Sequence, residues 1–525
     1  MSRPTKTTRR GVKGLRWLGA GAAAGVLQAL AFSPEMTRLT PSAPFVATLL
    51  ALGALVLLLH SVERPSQGAW AGWGFGTVWL VGGTGWMYVS LHRFGGLPSW
   101  LAGGSVLLLC AALSLYLALA CAAWVRWRRR RWLPDAVLLG ALWLLAEAAR
   151  ALIFTGFPWA ASGYALVDSP LVALAPWLGV YGMGQVLITV VAAVVLVFSY
   201  QVSVRTRAGL LAGTVALLWA AQAWLAPVSF VRAHGRPLDV TLLQGNVPQS
   251  EKFEPQHQGE ALLWHAKQLV AAKGDLVVAP ETAIPLLPSD LPPDFWAALL
   301  KPFHQGGRSA LIGVPLGSFE HGYTNSVIGV SKDTRGLEGG YYRYNKHHLV
   351  PFGEFIPWGF RWFVDMMNMP LGDFTRGPRN APSFEVAGQW VAPNICYEDL
   401  FGEELAARFV GVLSPAPTIL ANVSNLAWFG EEVAIHQHLQ IARLRSLEFQ
   451  RPTIRSTNTG ATVVIDHLGV VTDALTTNTE GVLRAQVQGT SGLTPFARWA
   501  GPWGLWPLIG LAVALVLAVI RRPAS

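Results

Sequence analysis

The chain has 525 residues, of which 52% are hydrophobic and only 13% are charged, against about 25% charged residues in an ordinary soluble domain. Its mean hydropathy is +0.38, so the apolar residues are too numerous for soluble cores alone. A disordered or fibrous chain is excluded on the same grounds. The composition therefore predicts an integral membrane protein.

The net charge of +10 is spread unevenly along the chain. Residues 236–489 carry 19 Lys and Arg against 25 Asp and Glu, a balance of −6, whereas the rest of the chain carries 21 against 5, a balance of +16. The basic excess thus belongs to the ends and loops of the hydrophobic part, where it determines membrane topology. Binding of nucleic acid loses its main support and is not expected.

Eight apolar runs are long enough to cross a hydrocarbon core about 30 Å thick. They lie near 15–32, 43–60, 69–90, 100–125, 135–154, 171–199, 208–228 and 502–520. If all eight span, 16 basic residues lie on one side of the membrane and two, Arg38 and Arg93, lie opposite. The positive-inside rule then puts both termini in the cytoplasm. We expect a seven-helix membrane domain at 1–230, an extracytoplasmic domain at 236–489, and a last helix with a short cytoplasmic tail at 500–525.

Residues 236–489 alternate between strand-like and helix-like patterns, which predicts a layered α/β domain. The predicted strands are Val240–Gln244, Leu276–Ala279, Ala310–Val314, Ser326–Val330, Trp390–Ile395, Thr418–Val423 and Thr462–Ile465. The predicted helices are Gln256–Ala272, Glu403–Val410 and Val433–Phe449. In such domains the reactive side chains are usually presented where strands end.

Cys396 is the only one of three cysteines that lies in this domain. Cys110 and Cys121 share one apolar run, about 16 Å apart along a helix, and are predicted to be packing residues. An isolated thiol in an oxidising compartment is a candidate nucleophile. A buried, inert cysteine is the alternative.

Two charged residues also end strand-like runs: Glu281 follows LVVAP and Lys346 follows YYRYN. Each alone would be an ordinary surface charge. With Cys396 they form a set suited to acyl transfer, because a carboxylate can take the thiol proton, an ammonium can stabilise an oxyanion and a thiolate can attack a carbonyl. The sequence has no HExxH motif, P-loop or GxSxG elbow, so no metal site or cofactor, ATPase or ordinary lipase is expected.

Four blocks of the sequence resemble, in order, the signature blocks of the nitrilase superfamily and, within it, the apolipoprotein N-acyltransferase family of the bacterial inner membrane. The blocks are PETAIP (280–285), YNKHHLVPFGEFIP (344–357), NICYEDLF (394–401) and NLAWFG (425–430). The apolar runs and FTGFPWAASGY at 154–164 extend the resemblance over the whole chain. It implies a multi-pass helical membrane domain joined to a nitrilase-like α-β-β-α sandwich.

The resemblance implies that Glu281 is the general base, Lys346 the oxyanion-stabilising cation and Cys396 the nucleophile. It also implies five supporting or substrate-site residues, which are Glu354, Tyr397, Glu398, Phe253 and Trp428. Two positions depart from the family pattern: Phe253 stands where the family has tryptophan, and Leu426 stands where it has an acidic residue.

The resemblance further implies a two-step reaction. Cys396 takes an acyl chain from a membrane phospholipid, with phosphatidylethanolamine as the expected donor, and forms a thioester. The N-terminal amine of an S-diacylglyceryl-cysteine apolipoprotein then receives the chain. The enzyme is expected to be a monomer of the inner membrane with its catalytic domain on the periplasmic side.

Two alternatives to this function stay open. The first is a membrane-tethered carbon–nitrogen hydrolase with the same triad, in which water resolves the acyl-enzyme. The second is a non-catalytic transporter or lipid-binding scaffold, which the near-absence of charged residues within the spans disfavours.

Two further features have two interpretations each. The stretch Phe355–Asp373 is rich in Trp, Phe and Met and either dips into the bilayer to guide acyl chains or packs on the domain core. Glu147 and Arg150 lie on one face of the fifth run. They either contact a lipid headgroup or neutralise each other as a structural pair.

Overall fold

The computed structural model of the protein describes residues 6–249, 255–318, 320, 322–365 and 373–521. The chain divides into two compact units. The first comprises the chain up to Tyr88, Pro98–Val228 and the segment from Leu505 onward. The second comprises Val89–Leu97 and Ser229–Gly504.

The first unit is helical. Its α-helices are Lys6–Leu30, Pro34–Leu39, Ala43–Ser61, Pro65–Thr84, Ser99–Leu113, Leu115–Trp127, Trp132–Leu152, Ala175–Ser199, Val204–Ala220 and Trp506–Arg521. Among the residues that the structure describes, five segments are long and apolar enough to cross a membrane, namely Ala43–Ser61, Ser99–Trp127, Trp132–Thr155, Pro170–Ser199 and Val204–Leu225. A sixth is added if Pro495–Trp503 and Trp506–Arg521, which are bent by 92° relative to each other, form one span.

The predicted first and third spans are helices, but they do not reach this standard of length and composition. Lys6–Leu30 carries Arg16 beside its apolar part, and Pro65–Thr84 contains six glycines. These glycines allow close contact between the two helices, because a Cβ on Gly74 would collide with the backbone oxygen of Leu18. Within the described residues five or six spans are thus supported, and eight spans stays a prediction.

The basic cluster after Leu115–Trp127 binds the C-terminal ends of two other helices of this unit. Arg128 donates a 3.0 Å hydrogen bond to the carbonyl of Leu59, near the end of the second apolar run. Arg129 donates a 3.0 Å hydrogen bond to the carbonyl of Val519, near the end of the last helix. Cations are favoured at helix C-termini, so these contacts bring three helix ends together at one end of the bundle.

Glu147 and Arg150 hold the stretch that follows their helix. Glu147 accepts hydrogen bonds from the backbone N–H of Ser162 at 2.7 Å and from its hydroxyl at 3.1 Å. Arg150 donates to the carbonyl of Trp159 at 2.6 Å and lies over the ring of Trp79. The two charged groups are 3.8 Å apart and buried. This geometry favours the structural pair over a lipid-headgroup contact.

The second unit is built on β-strands. In chain order, those of the described residues are β1 Val231–Ala233, β2 Leu238–Gln244, β3 Leu276–Val278, β4 Ser309–Ser318, β5 Gly322–Val330, β6 Tyr342–Asn345, β7 Phe384–Val386, β8 Gln389–Ile395, β9 Ile419–Ser424, β10 Thr453–Thr457, β11 Val463–Ile465, β12 Val471–Ala474, β13 Gly481–Val487 and β14 Thr490–Gly492. Its helices are Pro255–Ala271, Pro293–Gln305, Arg361–Val364, Gly402–Ala407, Val433–Phe449 and Pro495–Trp503.

Two sheets pack face to face in this unit. The first has the strand order β13-β2-β3-β4-β5-β6 and the second has the order β12-β11-β10-β9-β8-β7. Leu242 and Val423, from facing sheets, belong to one buried cluster. Helices carrying Leu269 and Phe303 cover the outer face of the first sheet, and the helix carrying Leu405 covers the second. The predicted α-β-β-α sandwich is therefore confirmed.

All seven predicted strands and all three predicted helices of this unit are present, with ends shifted by at most four residues. Val433–Phe449 has the predicted bounds. The approximate positions of these elements are thus set by local hydrophobic pattern. Strands β1, β7, β10, β12, β13 and β14 were not predicted from that pattern.

Candidate active site

The three predicted triad residues each follow a strand. Lys346 comes directly after β6 and Glu281 three residues after β3, both in the first sheet, whereas Cys396 comes directly after β8 in the second. All three are buried, and Lys346 is only 1% exposed. The backbone at Glu281 packs closely against Gly313 on β4. A larger residue would not fit there, because an added Cβ would lie 2.8 Å from the Glu281 Cα.

A lysine and two glutamates form the centre of the site. The Nζ of Lys346 lies 3.0 Å from Oε1 of Glu354 and 3.6 Å from Oε1 of Glu281. The amide Nδ2 of Asn325 donates to the same two oxygens, at 2.7 Å to Glu281 and 2.6 Å to Glu354. Because buried carboxylates need a cation and hydrogen-bond donors, Lys346 and Asn325 together stabilise both glutamates, and Glu354 in turn holds the lysine.

One backbone N–H, that of Asn425, acts on both the carboxylate of Glu281 and the thiol of Cys396. The N–H of Asn425 donates to Oε2 of Glu281 at 2.9 Å, and the same N–H acts to lower the pKa of the Cys396 thiol. The side chain of Asn425 is fixed by Gln249 at 2.9 Å and by Asn458 at 3.0 Å. Glu281 is thus held by a group that also acts on the thiol, and its carboxylate is the base that can take the thiol proton.

The electrostatics of the site keep the resting thiol protonated and the lysine charged. Burial raises the pKa of the Cys396 thiol to about 12, and the charge of Glu281 acts in the same direction while Lys346 opposes it. Burial alone would lower the pKa of Lys346, but Glu354 and Glu281 outweigh it and hold that pKa above its ordinary value. A neutral thiol of this kind needs a base at the moment of attack.

The backbone at Cys396 is strained. Its φ is +50°, in the left-handed region that residues other than Gly, Asn and Asp rarely adopt, at a cost of about 1–3 kcal/mol. Such residues persist where the surroundings hold them, and they concentrate at active sites. The strain is consistent with a side chain that is presented for reaction.

Glu398 ties the two strand ends together. Its Oε2 accepts hydrogen bonds from the Tyr344 hydroxyl and the Ile395 N–H, both at 2.7 Å. Its Oε1 accepts from the N–H groups of His347 at 2.7 Å and His348 at 3.2 Å. Burial raises the pKa of Glu398, and the donor from Ile395 acts against that rise. Glu398 thus fixes the loop after the lysine against the strand that precedes the nucleophile.

The other predicted site residues have separate surroundings. Tyr397 is buried, with its ring edge-on to that of Phe401 at 5.3 Å. Trp428 is half-buried, and its ring meets that of Phe94 at 5.5 Å. Phe253 lies outside the described residues.

The departure at position 426 is explained by packing. Leu426 is 1% exposed and belongs to the core cluster between the two sheets, where a leucine is suited and an unpaired acidic residue would be costly.

In the stretch Phe355–Asp373, Trp358 is 98% exposed and Trp362 is 63% exposed. These exposures favour an outward-facing arm over packing on the core, for the part that the structure describes.

Sequence reasoning missed Asn325 and Asn425. Asn425 is the first residue of the NLAWFG block, and its position within a recognised block was the signal that could have singled it out. Asn325 is a buried amide in β5, between Thr324 and Ser326 and before the apolar end of that strand. A buried polar residue in such a strand must be hydrogen-bonded, and that is the signal for its role.

Comparison with known proteins agrees with this architecture. Residues 24–193 match the family model of the apolipoprotein N-acyltransferase N-terminal domain, and residues 239–496 match that of carbon–nitrogen hydrolase. A protein of Ralstonia nicotianae is 44% identical over 502 residues, which cover 95% of this chain and 92% of that protein. One of Verminephrobacter eiseniae is 47% identical over 447 residues, 82% of each chain. A third, of Bordetella bronchiseptica, is 43% identical over 537 residues, 96% of each chain.

All three relatives are named apolipoprotein N-acyltransferase. Their similarity extends over the membrane unit as well as over the sandwich, which is what the four sequence blocks and the apolar runs predicted. The chain belongs to the apolipoprotein N-acyltransferase family.

Proposed function

We propose that the chain transfers an acyl chain from a membrane phospholipid to the N-terminal amine of S-diacylglyceryl-cysteine on apolipoproteins, through a thioester on Cys396. The observation that carries this proposal is the buried set of Glu281, Lys346 and Cys396 at three strand ends, in which Lys346 lies 3.6 Å from Glu281 and both charges act on the Cys396 thiol. Family membership supports the apolipoprotein as acceptor.

In the first step Glu281 takes the thiol proton as the sulfur attacks the ester carbonyl of the donor, for which we propose the sn-1 ester of phosphatidylethanolamine. The carbonyl oxygen becomes an oxyanion that accepts hydrogen bonds from Lys346 and from the backbone N–H of Tyr397. As the carbon–oxygen bond breaks, the glycerol oxygen takes the proton from Glu281 and leaves in a lysophospholipid. The acyl chain remains on Cys396 as a thioester.

In the second step the uncharged amine of the apolipoprotein attacks the thioester carbonyl. The same donors stabilise the second oxyanion, and Glu281 accepts the proton that the amine loses. The carbon–sulfur bond then breaks, and the Cys396 thiolate is reprotonated by Glu281. One covalent intermediate thus lets two lipid substrates use one site in turn.

The membrane unit supports transfer over hydrolysis. The triad chemistry is compatible with water as the second nucleophile, as in an amidase. However, a hydrolase of soluble amides has no need of five or six apolar helices, whereas two lipid substrates require a site beside the bilayer.

Product analysis separates the two reactions. The purified protein would be incubated in detergent micelles with phosphatidylethanolamine and a diacylated lipopeptide, and the products followed by mass spectrometry. Transfer predicts a lipopeptide heavier by one acyl chain and an equal amount of lysophospholipid, whereas free fatty acid with unchanged lipopeptide would show hydrolysis. Cys396→Ser should lower transfer by about 10³-fold or more. Cys110→Ser, at a buried cysteine of the membrane unit, is the matched control and should retain it.

We also propose a monomer of the bacterial inner membrane with both termini in the cytoplasm and the sandwich on the periplasmic side. Arg128 contacts the helix end at Leu59 and Arg129 contacts the helix end at Val519, so these two ends lie at the same end of the helix bundle as the basic cluster. The proposed orientation places all three on the cytoplasmic side. The triad and the groups that hold it come from one chain, which is consistent with a monomer.

A further inference from the structure

Three buried side chains form a hydrogen-bonded chain that ends on the main-chain carbonyl of Cys396. Arg455 donates through Nη1 to Oδ2 of Asp399 at 2.7 Å, and its Nη2 is 3.1 Å from Nδ1 of His438. The Nε2 of His438 lies 3.1 Å from the carbonyl oxygen of Cys396. None of the three side chains is more than 1% exposed.

The neighbours of His438 fix its protonation state. A guanidinium has only donors, so Nδ1 of His438 must accept the hydrogen bond from Arg455. The ring proton is therefore on Nε2, and Nε2 donates to the carbonyl of Cys396. Burial, with the nearby Arg455 charge, holds the pKa of His438 well below its ordinary value, so the ring stays neutral.

The carbonyl that His438 contacts belongs to the same peptide unit as the N–H of Tyr397. In a planar trans peptide the C=O and N–H bonds point in opposite directions, so anchoring the oxygen fixes the direction of the N–H. A hydrogen bond to the oxygen also polarises the peptide and makes its N–H a stronger donor. Asn422 adds a second, longer contact of 3.5 Å to the same oxygen.

The strained backbone at Cys396 explains why the hydrogen bond from His438 to the Cys396 carbonyl is needed. With φ at +50° the peptide that follows Cys396 has an orientation that the local backbone disfavours. An oxyanion donor is effective when it is already aimed at the place where charge develops. The histidine supplies that preorganisation from a rigid helix, Val433–Phe449.

We propose that His438 is a positioning residue of the oxyanion hole: by donating to the Cys396 carbonyl it aims and polarises the Tyr397 N–H toward the acyl oxygen. This inference rests on the proposed function, because it assigns a role within the acylation step. Arg455 acts one step further back, by holding the histidine in the tautomer that can donate, and Oδ2 of its partner Asp399 lies 3.6 Å from Nε2 of the same ring.

Two substitutions of His438 by amides of similar polarity separate the loss of its hydrogen-bond donor from other effects of the replacement. In His438→Gln the amide nitrogen takes the place of Nε2 and can still donate to the carbonyl. In His438→Asn the shorter side chain can still accept from Arg455 but no longer reaches the carbonyl. His436→Asn, at a half-buried position of the same helix, is the matched control.

Two readouts would be recorded for each variant: the single-turnover rate of acyl-enzyme formation, and the carbonyl stretching frequency of a ¹³C-labelled acyl-enzyme. Alkylation of Cys396 by iodoacetamide serves as a third, because that reaction develops no charge on a carbonyl oxygen. We expect His438→Asn to slow acylation by about 10–10³-fold and to move the carbonyl band to higher frequency, with alkylation unchanged. His438→Gln should restore most of the rate and the wild-type band.

The proposal is overturned if His438→Asn acylates at the wild-type rate with an unshifted band. It is equally overturned if acylation and alkylation fall together, because that would show collapse of the Cys396 backbone and no specific effect on the oxyanion. Failure of the proposed function looks different, since the wild-type protein itself would then form no acyl-enzyme.

Discussion

Replacing Glu281 with Gln is expected to abolish acyl transfer while making Cys396 more reactive toward a small alkylating reagent. The substitution removes the base, which lowers acylation by about 10²–10⁴-fold. It also removes a negative charge that raises the thiol pKa, and it leaves the Lys346 cation that lowers it. The thiol pKa should therefore fall, and the thiolate fraction at neutral pH should rise.

The two effects are measured separately. Acylation by phospholipid is followed as single-turnover mass gain, and iodoacetamide alkylation of Cys396 is followed from neutral to alkaline pH. Glu385→Gln, at an exposed position on β7, should match the wild type in both assays. Parallel loss of acylation and alkylation in Glu281→Gln would mean that this glutamate holds the site together without serving as its base.

Replacing Lys346 with Met is expected to impair both stability and catalysis. The lysine lies between two buried carboxylates, at 3.0 Å and 3.6 Å, and breaking a buried ion pair costs about 3–5 kcal/mol of unfolding free energy. Loss of the cation from the oxyanion should slow acylation by about 10²–10³-fold. The thiol pKa should rise further, because the lysine opposes the effect of burial.

A second substitution distinguishes the two losses. Lys346→Met combined with Glu354→Gln removes one of the uncompensated carboxylates, so thermal stability in detergent should recover in part while acylation stays low. Lys332→Met, at an exposed surface position, should change neither. A Lys346→Met protein with wild-type Tm and wild-type acylation would show that the ammonium is not part of the site.

The triad residues could be predicted from the sequence because each follows a short apolar or aromatic run. Glu281, Lys346 and Cys396 are chemically distinctive, and strand ends are where an α/β fold presents such groups. That these three residues lie close together could not be predicted in the same way. It depends on β3 and β6 of one sheet meeting β8 of the other, which no local pattern encodes.

The polar residues behind the triad show where sequence reasoning fails. Strand β10 reads TIRST, which lacks the apolar run of a buried strand, yet all five residues are buried. Its polar groups are satisfied across the fold: Arg455 bonds Asp399, and the Ser456 hydroxyl donates to the carbonyl of Leu243 at 2.8 Å. Such partners lie far away in the chain, so burial of these residues follows from tertiary contacts.

The membrane spans illustrate a different difficulty. Apolar length located the helices of the first unit, but the glycines of Pro65–Thr84 serve helix contact and lower hydropathy at the same time. A count of spans from hydropathy is therefore sensitive to the residues that permit close packing in lipid.

The most direct test of this account is the intact mass of the purified protein after incubation with phosphatidylethanolamine, with Cys396→Ser in parallel. We predict that the wild-type protein gains the mass of one acyl chain, that hydroxylamine removes it, and that a diacylated lipopeptide discharges it with formation of the N-acylated product. The serine variant should gain no hydroxylamine-sensitive adduct. A folded wild-type protein that converts phospholipid and lipopeptide to product, but never carries an acyl chain on Cys396 under single-turnover conditions, would contradict the thioester mechanism.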